Sequence, residues 1–216
     1  MTEFILIKPD DIQKGSSYRF SDQIINSLRK VDELFVIGMG NAISLACTAV
    51  LRASSIANVK ISEVAIDYVG IPKLGIGGVF FVLNKESEIN WVEKKKQMEE
   101  GMNLSFERGG QLLIVSNNLP PDRAIPLALS RLADSSCLKI SAAGTAINRA
   151  VSIALELTQS DISKTKLGIA LVVVFTVEYT RNETTVPEAV MEIFINKSRK
   201  SLSKKHEQML KMLTSG

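Results

Sequence analysis

The sequence predicts a mixed α/β (α+β) protein made of two domains that share one order of elements, β-α-β-α-β-β. Three observations carry this. First, GNAISLA at 40–46 and GTAINRA at 144–150 have Gly, Ala, Ile and Ala at the same four places, offset by 104 residues. Second, each copy follows a strand-like run, ELFVIGM before the first and CLKISAA before the second. Third, the flanks of the two copies repeat the same succession of apolar periodicities, as a duplicated domain must.

In the first unit, residues 1–85, EFILIKP reads as a strand. RFSDQIINSLRKV places Ile24, Ile25 and Leu28 at helical spacing, with Ser21 available as an N-cap. After the strand ELFVIGM, ISLACTAVLRAS is a helix with Ile43, Ala46 and Val50 along one small-residue face. VKISEVAIDYVGI and GGVFFVLNK are strands around a Pro/Gly turn.

The second unit, residues 110–197, repeats the order. QLLIVSN is a strand, and PPDRAIPLALSRLAD is a helix whose early prolines suit its first turn. CLKISAAG is a strand, and TAINRAVSIALELTQSD is a helix with Ile147, Ala150, Ala154 and Leu157 on one face. LGIALVVVFTVEYTR and AVMEIFINK are the closing strands, read as a long third and a short fourth.

Residues 86–109 form a polar linker with a helix predicted from about Ile89 to Met102. Trp91 and Val92 would pin it, and Lys94, Lys95 and Lys96 read as a solvated face, since Glu93, Glu99 and Glu100 flank them. Residues 198–216 are a basic tail. Counted along the chain, 1–85 hold 9 basic and 8 acidic groups, 86–108 hold 4 and 6, 109–197 hold 8 and 8, and 198–216 hold 5 and 1. The net charge of +3 therefore comes from the tail.

Composition excludes several classes. With 45% hydrophobic and 23% charged residues the chain is globular rather than disordered. Its longest apolar run, IALVVVF, is far short of a membrane span, and MTEFILIKPDD lacks the pattern of a secretory leader, so an intracellular, cytoplasmic protein with no membrane partner is expected. Cys47 and Cys137 read as small core residues, and the lone His206 leaves zinc chemistry without ligands. No cofactor or metal is indicated, and no Ser/His/Asp set or site-like carboxylate pair supports an enzyme; Glu156 and Asp161 read as water-facing. Gly38-Met39-Gly40 sits between a strand and a helix, as a dinucleotide loop would, but Ile43 stands where a third glycine belongs, and the bland reading is a packing turn.

The doubled β-α-β-α-β-β pattern, with Gly40-Asn41-Ala42-Ile43-Ser44-Leu45-Ala46 and Gly144-Thr145-Ala146-Ile147-Asn148-Arg149-Ala150 entering the second helix of each unit, resembles the Alba family. The resemblance covers residues 3–85 and 110–197. It implies two Alba-like domains that form an internal pseudo-dimer, and a non-enzymatic architectural or chromatin-type role in binding DNA or RNA through phosphate contacts. Carried onto this chain, the implied contacts are Lys8, Lys14, Arg19 and Lys73 in the first unit, Arg123, Arg149 and Arg181 in the second, and Arg199, Lys200, Lys204 and Lys205 in the tail, to which Lys197 just before it and Lys211 within it add charge. The pattern also departs from the family. Asn41 and Thr145 replace the turn arginine, Asn117 and Asn118 replace a basic pair, and the hairpin RNETTVPE mixes Arg181 with Glu183 and Glu188.

A second expectation follows from those departures: an interaction protein that has lost most of the nucleic-acid surface and serves as heteromeric partner of a basic Alba protein, or assembles further with itself. Phe80, Phe81 and Phe175 read as core strand residues, with Tyr68 and Tyr179 as exposed aromatic contacts. Met209, Leu210, Met212 and Leu213 make the tail a candidate packing element as well as a basic arm.

Overall fold

The computed structural model describes residues 3–14, 16–69, 75–85, 93, 96, 111–159, 166–181 and 184–197, without the side chains of Lys14, Gln159 and Arg181. The predicted linker helix is represented by Glu93 and Lys96, both in helical backbone; Trp91, Lys94 and Lys95 lie outside the described residues, as does the tail from residue 198.

The first repeat contains β1 (Glu3–Ile7), α1 (Asp11–Lys14), α2 (Ser17–Leu28), β2 (Glu33–Met39), a short 3-10 turn (Gly40–Ala42), α3 (Ile43–Ile56), β3 (Lys60–Val69) and β4 (Ile76–Asn84). The second contains β5 (Leu112–Val115), α4 (Pro121–Ala133), β6 (Cys137–Ala143), α5 (Ala146–Gln159), β7 (Gly168–Arg181) and β8 (Thr184–Asn196). Each repeat makes a four-stranded sheet, ordered β1-β2-β4-β3 and β5-β6-β8-β7. The two orders are the same when each strand is replaced by its counterpart, so the duplication read from a short motif extends to the chain path.

In the first sheet β1 runs parallel to β2, with Phe4 opposite Phe35, and β4 runs antiparallel to β2, with Phe35 opposite Val82 and Ile37 opposite Phe80. Five consecutive residues of β2, Leu34–Gly38, are buried, which requires cover on both faces because side chains alternate along a strand. One face is the helical side. A Cβ on Gly38 would collide with the Ala46 Cβ, so Gly38 faces α3 and allows helix and strand to approach closely. By alternation Phe35 and Ile37 point to the opposite face, where they cluster with Phe80, Val82, Leu6, Met39, Ala65 and Val69. The predicted helix faces are buried throughout: Ile43, Ala46 and Val50 in α3, and Ile147, Ala150, Ala154 and Leu157 in α5.

Three local expectations are corrected. Ser21 is not an N-cap. Helix α2 begins at Ser17, with Ser16 at the cap position, and Ser21 lies buried inside it, its hydroxyl donating to the Tyr18 carbonyl at 2.8 Å. Lys14 and Arg19 both stand in helices, Lys14 at the end of α1 and Arg19 in the first turn of α2. The closing strand is not short: β8 has 13 residues against 14 in β7, so most of the hairpin read as RNETTVPE is strand. The Lys197 N–H donates to the Ser136 carbonyl at 3.2 Å, which aligns the end of β8 with the start of β6. Because β6 has only seven residues, the first part of β8 extends past it, and Pro187 stands there with no second neighbour in need of its missing N–H. Phe175 is half-buried, whereas Phe80 and Phe81 are fully buried.

The chain divides into two compact units, and the outer part of the β7–β8 pair, Val174–Val190, belongs with the first. The second unit keeps β5, α4, β6, α5, the beginning of β7 up to Val173, and β8 from Met191.

Candidate nucleic-acid interface

Strand directions decide which residues share an edge. Ile7 lies opposite Gly38, Met39 opposite Gly78, and Val69 opposite Ile76. The ends of β1, β2 and β3 and the start of β4 therefore meet at one edge of the first sheet. Three chain segments converge there: a Cβ on Gly40 would lie 3.0 Å from Ile76 Cγ2 and 3.5 Å from Pro9 Cγ.

Lys8 leaves β1 at this edge and is exposed. Its backbone N–H donates to Asp11 Oδ2 at 2.8 Å, while the Asp11 N–H donates to the Lys8 carbonyl at 3.0 Å. This reciprocal pair, with Pro9 inside it, resembles a capping box and fixes the turn into α1. Lys14 ends α1, and Arg19 is exposed in the first turn of α2, its N–H donating to the Ser16 carbonyl at 3.1 Å. Lys73 lies outside the described residues, but Val69 and Ile76, which bracket its loop, face each other at this edge.

The glycine turn is conformational in both repeats. Gly40 has φ of 52° and Gly144 has φ of 55°, a left-handed backbone that other residues adopt only with strain. This favours the packing-turn reading of the motif over a phosphate loop, for which three glycines at their own spacing would be needed.

The corresponding edge of the second repeat is organised differently. Arg149 Nη1 donates to the Asn117 carbonyl at 2.6 Å and to the Leu119 carbonyl at 2.8 Å, and Asn117 Nδ2 donates to Thr145 Oγ1 at 2.7 Å. Arg149, expected to hold a phosphate, thus ties the β5–α4 loop to the first turn of α5 through charge-assisted bonds. No sequence spacing announces such a staple, because its acceptors are backbone carbonyls some thirty residues away. Arg123 is exposed at the third position of α4, beside Asp122. Arg181 ends β7, and its side chain is not among those described; Arg199, Lys200, Lys204 and Lys205 lie outside the described residues.

Two other arrangements had no sequence signal. Lys139 Nζ and Glu192 Oε1 are 3.3 Å apart, with side chains 13% and 9% exposed, joining β6 to β8. The Arg52 guanidinium carbon sits 3.6 Å from the centroid of the Tyr18 ring, bringing α3 and α2 together.

Among the described residues no group of three or more His, Cys, Asp or Glu could hold a metal ion, and no helix is long and apolar enough to cross a membrane. Both cysteines are free and buried. Burial raises both thiol pKa values, that of Cys137 to about 11. Tyr179 is exposed, as expected, whereas Tyr68 is half-buried.

No protein-family model matches the chain, and no curated protein does.

Proposed function

We propose that this chain is a non-enzymatic, Alba-like nucleic-acid-binding protein whose first repeat supplies the principal contact surface. The observation that carries this is the convergence of the Lys8 turn, the Gly40 turn and the β3 and β4 ends at one edge, with Arg19 in the following helix turn. Lys8 at this edge, with Arg19 in the helix that follows, suits a duplex backbone, because phosphates are held by Lys and Arg and release their counterions when neutralised. Lys73 falls between Val69 and Ile76 in the sequence, and residues 198–216 carry 5 basic and 1 acidic groups. An architectural role on DNA or RNA in the cytoplasm or on chromatin accords with a surface that contacts phosphates rather than base edges.

The test is a titration of duplex DNA and of RNA at several salt concentrations. Four phosphate contacts, from Lys8, Lys14, Arg19 and Lys73, account for about −3.6 of the log–log salt slope on B-DNA, and contacts from the tail steepen it further. Lys8→Ala and Arg19→Ala should each flatten it by about 1 with little change in sequence preference. Absence of retention at low salt would overturn the proposal.

A second reading has its own observation. Arg149 is committed to backbone carbonyls, and residues 109–197 carry 8 basic and 8 acidic groups. The second repeat would then serve as a protein-binding half, pairing with a basic Alba-like protein or with another copy of this chain. Co-elution with such a partner at a defined stoichiometry supports that reading; separate species count against it.

A further inference from the structure

Within the first unit, α2, α3 and the outer part of the β7–β8 pair enclose a groove of about 580 Å³. This lies in the size range of small-ligand sites. Helix α3 presents Thr48, Leu51, Arg52 and Ser55 to it, a run of positions i, i+3, i+4 and i+7 that occupies one helix face. Tyr18 comes from the first turn of α2, and Glu178 and Pro187 come from β7 and β8.

The groove contains two charges of opposite sign, and neither has an ion-pair partner among the described residues. Arg52 is held against the Tyr18 ring, yet its guanidinium makes no hydrogen bond or ion pair among the described residues, and its Nε is buried without an acceptor. Glu178 likewise has no ion pair among the described residues, so no Arg52 nitrogen lies within 4 Å of its carboxylate. A guanidinium flattened on an aromatic ring keeps its planar fork ready for a carboxylate at little loss of side-chain freedom. Leaving such a donor without an acceptor is unfavourable, so a bound oxyanion would stabilise the site.

Charge complementarity selects among ligands. A phosphate would suit Arg52 but meet repulsion from Glu178. A simple carboxylate would leave Glu178 unmatched. A ligand with a carboxylate and an ammonium on one carbon, and an apolar remainder, satisfies both charges and covers Leu51, Val186 and Pro187.

We propose that this groove binds a small zwitterion, an apolar α-amino acid, with its carboxylate on Arg52, its ammonium on Glu178 and its side chain along Leu51 and Val186. This site is independent of the nucleic-acid edge and stands or falls separately from it.

Calorimetric titration of the full chain with L-leucine tests the assignment, beside 4-methylpentanoate, which lacks the ammonium, 3-methylbutylamine, which lacks the carboxylate, and inorganic phosphate. Saturable leucine binding is expected, at least tenfold tighter than each of the other three. Arg52→Gln and Glu178→Gln should each weaken it about tenfold while leaving the circular dichroism of the unliganded chain unchanged. Tyr18→Phe, which keeps the ring under Arg52, should bind as the unaltered chain does. The proposal is overturned if leucine, valine, methionine and phenylalanine all give no heat, if phosphate binds as tightly as leucine, or if both charge-removing variants bind leucine unchanged.

Discussion

At the scale of single residues, the two copies of the motif are tied to one backbone requirement. Gly40 and Gly144 both adopt positive φ, so Gly40→Ala and Gly144→Ala should each destabilise the chain by about 1–2 kcal/mol, read from urea unfolding. Gly38 answers a different need, space against α3. Gly38→Ala should be destabilising by about 1–3 kcal/mol, and adding Ala46→Gly, which removes the opposing methyl, should recover part of the loss. The thiols give a third outcome. Cys137 is held at about 11 by burial, so at pH 8 only about one molecule in a thousand carries its thiolate. A disulfide reagent should therefore label neither Cys47 nor Cys137 until the chain is unfolded. The same shift has a sign for stability: the Cys137 pKa is raised from 9.0, so its contribution is intact below pH 9 and is lost as pH rises toward 11. Rapid labelling of the native chain would contradict the burial of both thiols.

Among the elements, the β5–α4 loop and the β6–β8 pair are the places where a side chain organises backbone. Arg149→Met keeps a long apolar stem and removes both donors to the loop carbonyls, so amide exchange should rise at residues 117–119 while α5 stays protected. If Arg149 served only nucleic acid, that exchange would not change. The Lys139–Glu192 pair is poorly exposed, and removing one partner leaves a charge with reduced solvation. Lys139→Met alone should destabilise by about 3 kcal/mol, whereas Lys139→Met with Glu192→Leu should recover most of it. Equal destabilisation in the single and double variants would show that the pair is not coupled. Most elements were legible because their signals are local: alternating or continuous apolar runs for the strands, a repeating apolar face for α3 and α5, and two prolines opening α4. The start of α2 was not. Ser21 has the chemistry of a cap, but the turn before it is helical as well, and a buried serine can satisfy its hydroxyl on its own helix.

At the scale of the whole molecule, the repeated strand order sets which segments share an edge. It brings the Lys8 turn, the Gly40 turn, Val69 and Ile76 together at one edge in the first repeat, while the same path in the second carries an arginine bound to its own chain. The halves should thus differ in use. Truncation after Ser198 should lower nucleic-acid affinity and flatten the salt slope if the tail's cations reach phosphates, whereas Arg149→Met should leave the slope unaltered. A binding titration of both variants beside the intact chain decides between an asymmetric binder and one in which the repeats contribute equally.

From the sequence alone came the doubling, the succession of strands and helices, and the buried faces of α3 and α5, because each follows from spacing over a few neighbouring residues. Tertiary structure alone decided that β8 runs the length of β7, that Arg149 reaches across to loop carbonyls, and that Tyr18, Arg52 and Glu178 line one groove. Those outcomes depend on which distant segments meet. A strand grows as far as its neighbour offers hydrogen bonds, and a long polar side chain takes whichever partner the fold places within reach, so neither is written in local spacing.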